Sequence, residues 1–256
     1  KILSSGRDFV NDDLDATDDH GHGTHVAGIA AAESNNNEGI AGVAWNCKIL
    51  PIKIVDEEGY GDYYSMIEGI TYAADNGADV INLSVGGEFT AQTLEEALKY
   101  AYDKDIVIIA AVGNEGGAVL FPAAYDDYCL AVAATDYDDI RVDWSNFGPE
   151  VDVAAPGERI ISLVPTWYPF TIWGDFELPP YGYGFGTSLA APHVSGFAAL
   201  IKSIKPWLTA AEIMNIIRYS ADDTNNEDYP GKDEFIGYGR INMEKALVPI
   251  KITTHK

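Results

Sequence analysis

The sequence predicts an α/β protein, a three-layer sandwich with a mostly parallel central sheet and helices on both faces. Short apolar runs rich in β-branched residues alternate with segments whose apolar residues recur every three or four positions, which is helical spacing. Such alternation favours parallel strands joined by right-handed helical crossovers, whose helices cover both faces of the sheet. The predicted strands span residues 48–55, 78–85, 105–112 and 129–135, and the predicted helices between them span 64–76 and 93–103.

Two further helices are predicted in the last third of the chain. The first covers residues 187–203 and is small and apolar at its start. The second covers residues 209–220, where Thr209 and Glu212 have the spacing of a capping box. Residues 167–185 precede the first helix and are rich in proline, glycine and aromatic residues, so they are predicted to form a loop.

Length and composition are typical of one domain. The chain has 256 residues, and 47% of them are hydrophobic, which is enough to build a single core. We therefore expect one domain over residues 1–256, ending in a short tail at 247–256. No apolar run approaches the ~18 residues of a membrane span. The first residues do not have the pattern of a signal peptide.

The charge balance excludes some classes of partner and favours others. Forty acidic residues against 16 basic ones give a formal net charge of −24. We therefore expect no nucleic acid and no membrane as partners, because both are bound through basic patches, and cations are favoured instead. Cys47 and Cys129 each lie beside an apolar run, which favours free buried thiols, although a disulfide stays open.

Three separated segments carry residues suited to nucleophilic catalysis: residues 22–25 (HGTH), 110–116 (AAVGNEG) and 186–196 (GTSLAAPHVSG). A serine at a helix N-terminus is surrounded by backbone N–H groups that can hold a developing negative charge. A histidine could take the serine's proton, and an asparagine at a strand end could donate to the same oxyanion. Taken singly, each has an ordinary structural interpretation as a helix cap, a packed histidine or a turn.

Taken together, the segments resemble the subtilisin-like serine proteases, or subtilases. HGTHVAG, SVGG (residues 84–87), GNEG and GTSLAAPHVSG match the motifs of that family in order, and the resemblance runs from Gly6 to about Ala246. The resemblance implies that Ser188 is the nucleophile and His22 its general base, while His25 packs structurally. It also implies an oxyanion hole formed by Asn114 and the backbone N–H of Ser188.

The same resemblance implies a cleft for an extended polypeptide substrate. One segment would be an edge strand that pairs with the substrate backbone, a form of β-augmentation. The S1 pocket would be lined by residues after two strands. These expectations name Gly59, Tyr60 and Gly61 for the edge strand, and Ser84, Val85, Gly86, Gly113 and Leu120 for the pocket.

One departure from the family pattern concerns the catalytic aspartate. The family carries it on a central strand in a motif resembling Asp-Thr-Gly, and neither that motif nor Asp-Ser-Gly occurs here. Asp8 has the wrong context, because it precedes Phe9 and Val10 in an acidic loop. We expect the first strand to be missing from this chain and to be supplied by a separate N-terminal fragment or another segment. A pro-segment is a further expected partner. The alternative is an inactive chain.

The acidic stretch GRDFVNDDLDATDDHGHGTHVAG (residues 6–28) resembles a calcium loop of the family. Ca²⁺ takes ~6–8 oxygen ligands at flexible geometry, and alternate residues of a tight loop can supply them. Two further calcium sites are implied by the same resemblance. The expected ligands are Asp8, Asn11, Asp13, Asp15 and Thr17 in the first site, Glu33, Asn36, Glu38 and Ile40 in the second, and Ala123, Tyr125 and Asp152 in the third.

The function that the sequence favours is a secreted, calcium-stabilised serine endopeptidase acting on polypeptides. An α/β-hydrolase esterase would need G-x-S-x-G and a serine that precedes its histidine, whereas Ser188 lies in Gly-Thr-Ser-Leu-Ala and follows His22. An inactive pseudoprotease or binding scaffold is the remaining alternative. The aromatic loop at residues 167–185 would be a platform for substrate residues beyond the cleaved bond or for a partner domain, unless its rings merely pack together.

Overall fold

The computed structural model describes residues 2–167 and 180–247. Its centre is a four-stranded parallel sheet in which the strands lie side by side in chain order. The sheet confirms the predicted α/β class with a mostly parallel core. The four strands are β3 (Val80–Leu83), β4 (Val107–Ala111), β5 (Cys129–Thr135) and β6 (Val151–Pro156).

Helices cover both faces of this sheet. On one face, α2 (Tyr63–Asp75) and α3 (Gln92–Asp103) pack against alternate residues of β4, including Ile108 and Ala110. On the other face, α4 (Thr187–Ile204) and α5 (Ala210–Ser220) pack against the intervening residues of β4, which include Ile109. Both faces of β4 are therefore buried, which explains its continuous apolar run. The capping box between Thr209 and Glu212 starts α5 as predicted.

The first predicted strand is much shorter than expected. Instead of residues 48–55, only β2 (Ile52–Lys53) is a strand, and it pairs with β1 (Arg7–Asp8) in a separate two-stranded sheet. Within the described residues, β2 shares no ladder with β3. Its side chains are consequently half-buried rather than part of a closed core.

Several elements escaped the sequence prediction. Strands β7 (Ile160–Leu163) and β8 (Tyr181–Gly184) form an antiparallel pair, so the end of the predicted loop at 167–185 is a strand. Strand β8 was not predicted because glycine alternates with tyrosine in it, and glycine is a poor strand former. Most of that loop, residues 168–179, lies outside the described residues, as does the predicted tail apart from Leu247. The remaining helices are α1 (His22–Ala31) and α6 (Met243–Leu247).

No helix in the described part of the chain is both long enough and apolar enough to span a bilayer.

Candidate active site

Ser188 lies in the first turn of α4, at the edge of the sheet where parallel strands end. The helix follows Gly186, whose φ of 141° and close surroundings exclude a larger residue. A methyl group built there would lie 3.0 Å from Ser188 Oγ and 3.7 Å from both amide atoms of Asn114. The hydroxyl and the amide therefore flank one point in space, although they come from distant parts of the chain. In the first turn of α4, the Thr187 N–H bonds Asn114 and the Leu189 N–H bonds the Gly186 carbonyl, which leaves the Ser188 N–H to face an anion there.

The amide of Asn114 is oriented by Thr187. Asn114 follows β4 and is exposed, and its Oδ1 accepts the Thr187 N–H at 2.7 Å and the Thr187 hydroxyl at 3.0 Å. Because both bonds go to the oxygen, the Nδ2 group is left to donate into the cleft. This is the orientation that an oxyanion-hole donor requires.

His22 is brought to the same cleft by the start of α1. The carboxylate of Asp18 accepts the N–H groups of Gly21 and Thr24, each at 2.7 Å, and also the Thr24 hydroxyl. These bonds hold the first turn of α1, which packs against α4. The cavity between the two helices is lined by His22 and Ser188 together with Gly21, His25, Val164, Tyr183, Gly184, Phe185 and Leu189.

Electrostatics keep the His22 imidazole neutral. Burial is the main cause that lowers its pKa to about 4, and positive charge on His20 and His25 lowers it further. Asp18 is the group that acts in the opposite direction. No carboxylate among the described residues hydrogen-bonds the His22 ring. Asp18 cannot do so while its oxygens hold the first turn of α1.

His25 has a structural place, as expected. Its ring is 7% exposed, and its Nε2 lies 3.1 Å from the carbonyl oxygen of Gly182 in β8. The Ser162 hydroxyl of β7 donates to the His25 carbonyl at 2.7 Å. His25 therefore ties α1 to the β7–β8 pair beside the cleft.

The residues expected in the S1 pocket do come together. A methyl group built on Gly86 would lie 3.3 Å from Leu120 Cβ, and one built on Gly113 would lie 2.8 Å from Leu120 Cγ. Ser84 connects this region to the nucleophile, because its hydroxyl donates to the Ser188 carbonyl at 2.7 Å. Val85 lies between Ser84 and Gly86 and packs partly buried against the core.

The expected edge strand at residues 59–61 is a turn in the described structure. The Asp56 carboxylate accepts the N–H of Tyr60 at 2.9 Å, and the Asp56 N–H donates to the Tyr60 carbonyl at 2.8 Å. This closed turn leaves the Tyr60 side chain 75% exposed and brings Gly59 beside His20. Gly61 follows the turn directly before α2. Because Asp56 engages the Tyr60 N–H and carbonyl, substrate pairing at residues 59–61 would need these bonds to open, and the edge strand stays a prediction.

The acidic loop before α1 is organised by its own carboxylates. Asp8 is 1% exposed, and its Oδ1 accepts the N–H groups of Val10 and Asn11 at 2.7 and 2.9 Å. Its Oδ2 lies 3.1 Å from Lys53 Nζ. Burial alone would raise the pKa of Asp8, but the hydrogen bonds from Asn11, Lys53 and Val10 lower it overall. Asp8 therefore stays ionised, with Lys53 as its neighbouring cation.

The outer part of this loop offers oxygen ligands of the kind that calcium prefers. Asp13 Oδ1 accepts the Asp15 N–H at 2.8 Å, and Asp15 Oδ1 accepts the Thr17 N–H at 3.1 Å. The second oxygen of each carboxylate accepts no hydrogen bond from the described residues. Across those residues, no three His, Cys, Asp or Glu side chains converge as a metal site would require. The ligand types fit calcium, but the loop would have to close around the ion.

The second and third expected calcium sites differ from each other. In the second, Asn36 Oδ1 accepts the Glu38 N–H at 3.0 Å, while the Glu33 and Glu38 side chains are exposed and Ile40 is half-buried. This arrangement leaves that site a prediction.

In the third site, Asp152 is 1% exposed and bonded by Arg218, with Nε at 2.7 Å from Oδ1 and Nη2 at 3.2 Å from Oδ2. The guanidinium supplies the positive charge that we expected from calcium, so Asp152 is withdrawn as a ligand. Ala123 could bind an ion only through its backbone carbonyl, so Ala123 and Tyr125 stay predictions. The Tyr125 hydroxyl is engaged with Ala91, accepting its N–H at 2.9 Å and donating to its carbonyl at 3.0 Å.

Two residues of this site were missed from the sequence. Thr187 orients Asn114, and the only feature of the sequence that could have indicated this role is that Thr187 directly precedes Ser188. Asp18 caps α1, and its spacing of six residues from Thr24 could have indicated a helix start. In both cases the functional information lies in hydrogen bonds that composition and periodicity do not encode.

Comparison with known proteins decides the family. A model described as the subtilase family matches residues 4–239. The chain belongs to the subtilase family. It is 44% identical over 243 residues to the thermophilic serine proteinase of Bacillus sp. (strain AK1), covering 94% of this chain and 56% of that protein. It is 40% identical to thermitase of Thermoactinomyces vulgaris, covering 94% of this chain and 80% of that one.

The fold of this subtilase agrees with a solved relative. Fervidolysin from Fervidobacterium pennivorans, described as a keratinolytic enzyme related to subtilisin, superposes with a TM-score of 0.86 at 32% identity. The superposition covers 98% of this chain and 40% of fervidolysin. The subtilase spans little more than half of the Bacillus proteinase, and the relatives with which it shares the family are named as serine proteinases and proteases.

Proposed function

We propose that this subtilase hydrolyses peptide bonds through an acyl-enzyme on Ser188. Two observations carry the proposal: Ser188 and His22 line one cavity, and the Ser188 hydroxyl and the Asn114 amide flank the same point beside Gly186. The Ser188 oxygen attacks the scissile carbonyl carbon while its proton passes to His22. The resulting oxyanion accepts hydrogen bonds from Asn114 Nδ2 and the Ser188 N–H. His22 then protonates the leaving amine as the C–N bond breaks, and water repeats the sequence to release the acid.

Replacing the nucleophile tests this proposal directly. Ser188→Ala should abolish nearly all hydrolysis of a peptide substrate and leave the unfolding temperature essentially unchanged. In subtilisin, which is a worked example in general accounts of triad catalysis, loss of the serine or the histidine costs on the order of 10⁶ in kcat. A phosphonate probe should label the parent protein and spare the variant. Retention of more than a few per cent of activity would contradict the assignment.

The carboxylate that orients His22 is proposed to come from a separate N-terminal fragment whose strand would lie between β2 and β3. Two observations support it: His22 lacks a carboxylate partner among the described residues, and β2 and β3 share no ladder there. Without any such carboxylate, the alternative is an inactive pseudoprotease or binding scaffold. Phosphonate labelling of the parent protein separates the two.

The pH profile of activity reports whether that carboxylate is present. The surroundings of His22 in the described residues lower its pKa from 6.5 to about 4, so its neutral form would persist to acid pH. A carboxylate beside the ring favours imidazolium and raises that pKa. Such a neighbour raises a pKa by about 1–3, so we expect the acid limb of kcat/KM between about pH 5 and 7. A limb near pH 4 would mean that His22 works without a carboxylate.

Calcium stabilisation and secretion complete the proposal. Asp8, Asn11, Asp13, Asp15 and Thr17 would hold calcium in the acidic loop, which the ligand chemistry supports. An extracellular location is proposed on the family relationship. Ser188-dependent activity in the medium of the source cells, with none in their cytoplasm, would test it.

A further inference from the structure

Beneath the loop that carries Asn114 lies a buried side chain to which neither the sequence motifs nor the proposed mechanism gives a role. Asn146 is 1% exposed. Its Oδ1 accepts the N–H groups of Glu115 and Gly117 at 2.9 and 3.0 Å. Its Nδ2 donates to the carbonyls of Val112 and Ala118 at 3.2 and 2.8 Å.

The fifth bond of this amide leads toward the oxyanion hole. Asn146 Nδ2 also donates to Glu115 Oε2 at 2.9 Å, and the same oxygen accepts the backbone N–H of Asn114 at 2.8 Å. Every side-chain bond of Asn146 thus ends within residues 112–118, the loop that follows β4. This loop, which we call the oxyanion loop, contains no regular secondary structure after β4.

The backbone around Asn146 reinforces the same connection. Its own N–H donates to the Gly113 carbonyl at 3.0 Å, and the Gly116 N–H donates to the Trp144 carbonyl at 2.8 Å. The supporting segment is itself fixed to the sheet, because the Ser145 hydroxyl accepts the N–H of Ala134 in β5 at 3.0 Å. The oxyanion loop therefore takes its shape from β5 through residues 144–147.

We propose that Asn146 is a positioning residue that sets the height and angle of the Asn114 amide in the oxyanion hole. The proposal rests on the proposed function. Thr187 fixes the far end of the Asn114 side chain, and Asn146 fixes the backbone from which that side chain projects. An oxyanion donor acts over a narrow range of distance, so a displaced loop weakens the transition state more than the bound substrate.

Two substitutions separate shape from hydrogen bonding. Asn146→Ala removes all five side-chain bonds, whereas Asn146→Asp keeps the volume but turns a carboxylate oxygen toward the three acceptors that Nδ2 serves. Both should lower kcat roughly 10–100-fold with KM within about twofold, because misplacement of a catalytic donor by about 1 Å has an effect of that order. Asn146→Ser, the mildest change, should give an intermediate loss and covers the case in which the other two fail to fold.

A double-mutant cycle tests whether Asn146 acts through Asn114. In an Asn114→Leu background the donor is already gone, so Asn146→Ser or Asn146→Ala should lower kcat by less than about twofold further. If the double variant instead lost kcat by the product of the two single-variant factors, the proposal would be overturned. Ile217→Val, a core change in α5 away from the oxyanion loop, is the control for destabilisation and should leave kcat unchanged.

Hydrogen exchange distinguishes failure of this proposal from failure of the proposed function. The backbone N–H groups of Glu115 and Gly117 donate to Asn146 Oδ1 in the parent protein. In the Asn146→Ser variant their hydrogens should exchange at least tenfold faster. Ile217→Val should leave these exchange rates unchanged. This readout holds even if the parent protein fails to react with the phosphonate probe, which would contradict only the proposed function. Unchanged exchange at both amides would refute the positioning role.

Discussion

At the scale of single residues, hydrogen bonds from Thr187 decide which atom of the Asn114 amide faces the cleft. An exposed asparagine after a strand could point either amide atom into the cleft. The Thr187 N–H and hydroxyl both bond its oxygen, which leaves the N–H₂ group to donate. Orientation is therefore set before a substrate binds, and that preorganisation is what makes such donors effective.

Removing this donor should affect the transition state and spare the ground state. Asn114→Leu is expected to lower kcat by roughly 10²–10³, a range known from the corresponding subtilisin donor, with little change in KM. The amide reaches the oxygen only when it becomes an oxyanion, so substrate binding should hardly change. Steady-state kinetics on one peptide substrate give both constants. A change confined to KM would show that Asn114 binds substrate instead.

At the scale of elements, the acidic loop between β1 and α1 combines a buried anchor with exposed ligands. Asp8 is paired with Lys53, while Asp13 and Asp15 are exposed, and one oxygen of each accepts no hydrogen bond from the part of the chain that the structure describes. Charge repulsion within such a loop is relieved by a bound cation. The loop leads directly into α1, so its closure would steady the start of the helix that carries His22.

Calcium should therefore raise the unfolding temperature, and a chelator should lower it. A ligand that binds only the folded state at a hundredfold above its Kd adds about 2.7 kcal/mol, which for a chain of this size is roughly 5–10 °C. Combining Asp13→Asn with Asp15→Asn should reduce this response. The matched control, Glu227→Gln with Asp228→Asn, removes two exposed charges elsewhere and should preserve it. A melting curve indifferent to EDTA would refute the calcium proposal.

At the scale of the whole molecule, burial of histidines links stability to pH. Burial is the main cause that lowers the pKa values of His25 and His193, and it lowers the pKa of His22 in the same way where no carboxylate reaches the His22 ring. Above pH 6.5 these side chains are neutral in both folded and unfolded states, so they leave stability unaffected. As pH falls below 6.5, the unfolded chain binds protons that the folded protein refuses. Stability should therefore fall between pH 6.5 and about 4.

Where no carboxylate reaches His22, its pKa of about 4 would by itself make this loss about 3 kcal/mol. Denaturant unfolding of the Ser188→Ala variant, which cannot digest itself, measures it at a series of pH values. His193→Gln should flatten the curve in that window because it removes one of the three titrations. Asp8 and Asp18, whose pKa values are lowered overall by hydrogen bonds, contribute losses at still lower pH. Stability that is constant between pH 7 and 4.5 would contradict this account.

Local patterns predicted much of this molecule. The apolar period identified α2 and α3, because an amphipathic face is written into consecutive residues, and the capping box of Thr209 and Glu212 marked the start of α5. The motifs around His22, Asn114 and Ser188 indicated a site, and the structure brings those residues to one cleft. Strand β2 was overestimated because an apolar run predicts a buried strand, whereas burial depends on which strand lies beside it.

Tertiary structure alone decided the contacts that join distant parts of the chain. Arg218 neutralises Asp152 from 66 residues away, so a carboxylate expected to bind calcium instead joins β6 to α5. Asn146 bonds a loop about 30 residues earlier, and no spacing rule connects the two. The amino-acid sequence by itself determined the helices and the chemistry available at each motif, because those depend on neighbouring residues. Which carboxylates stay free and which amides become supports depended on long-range packing.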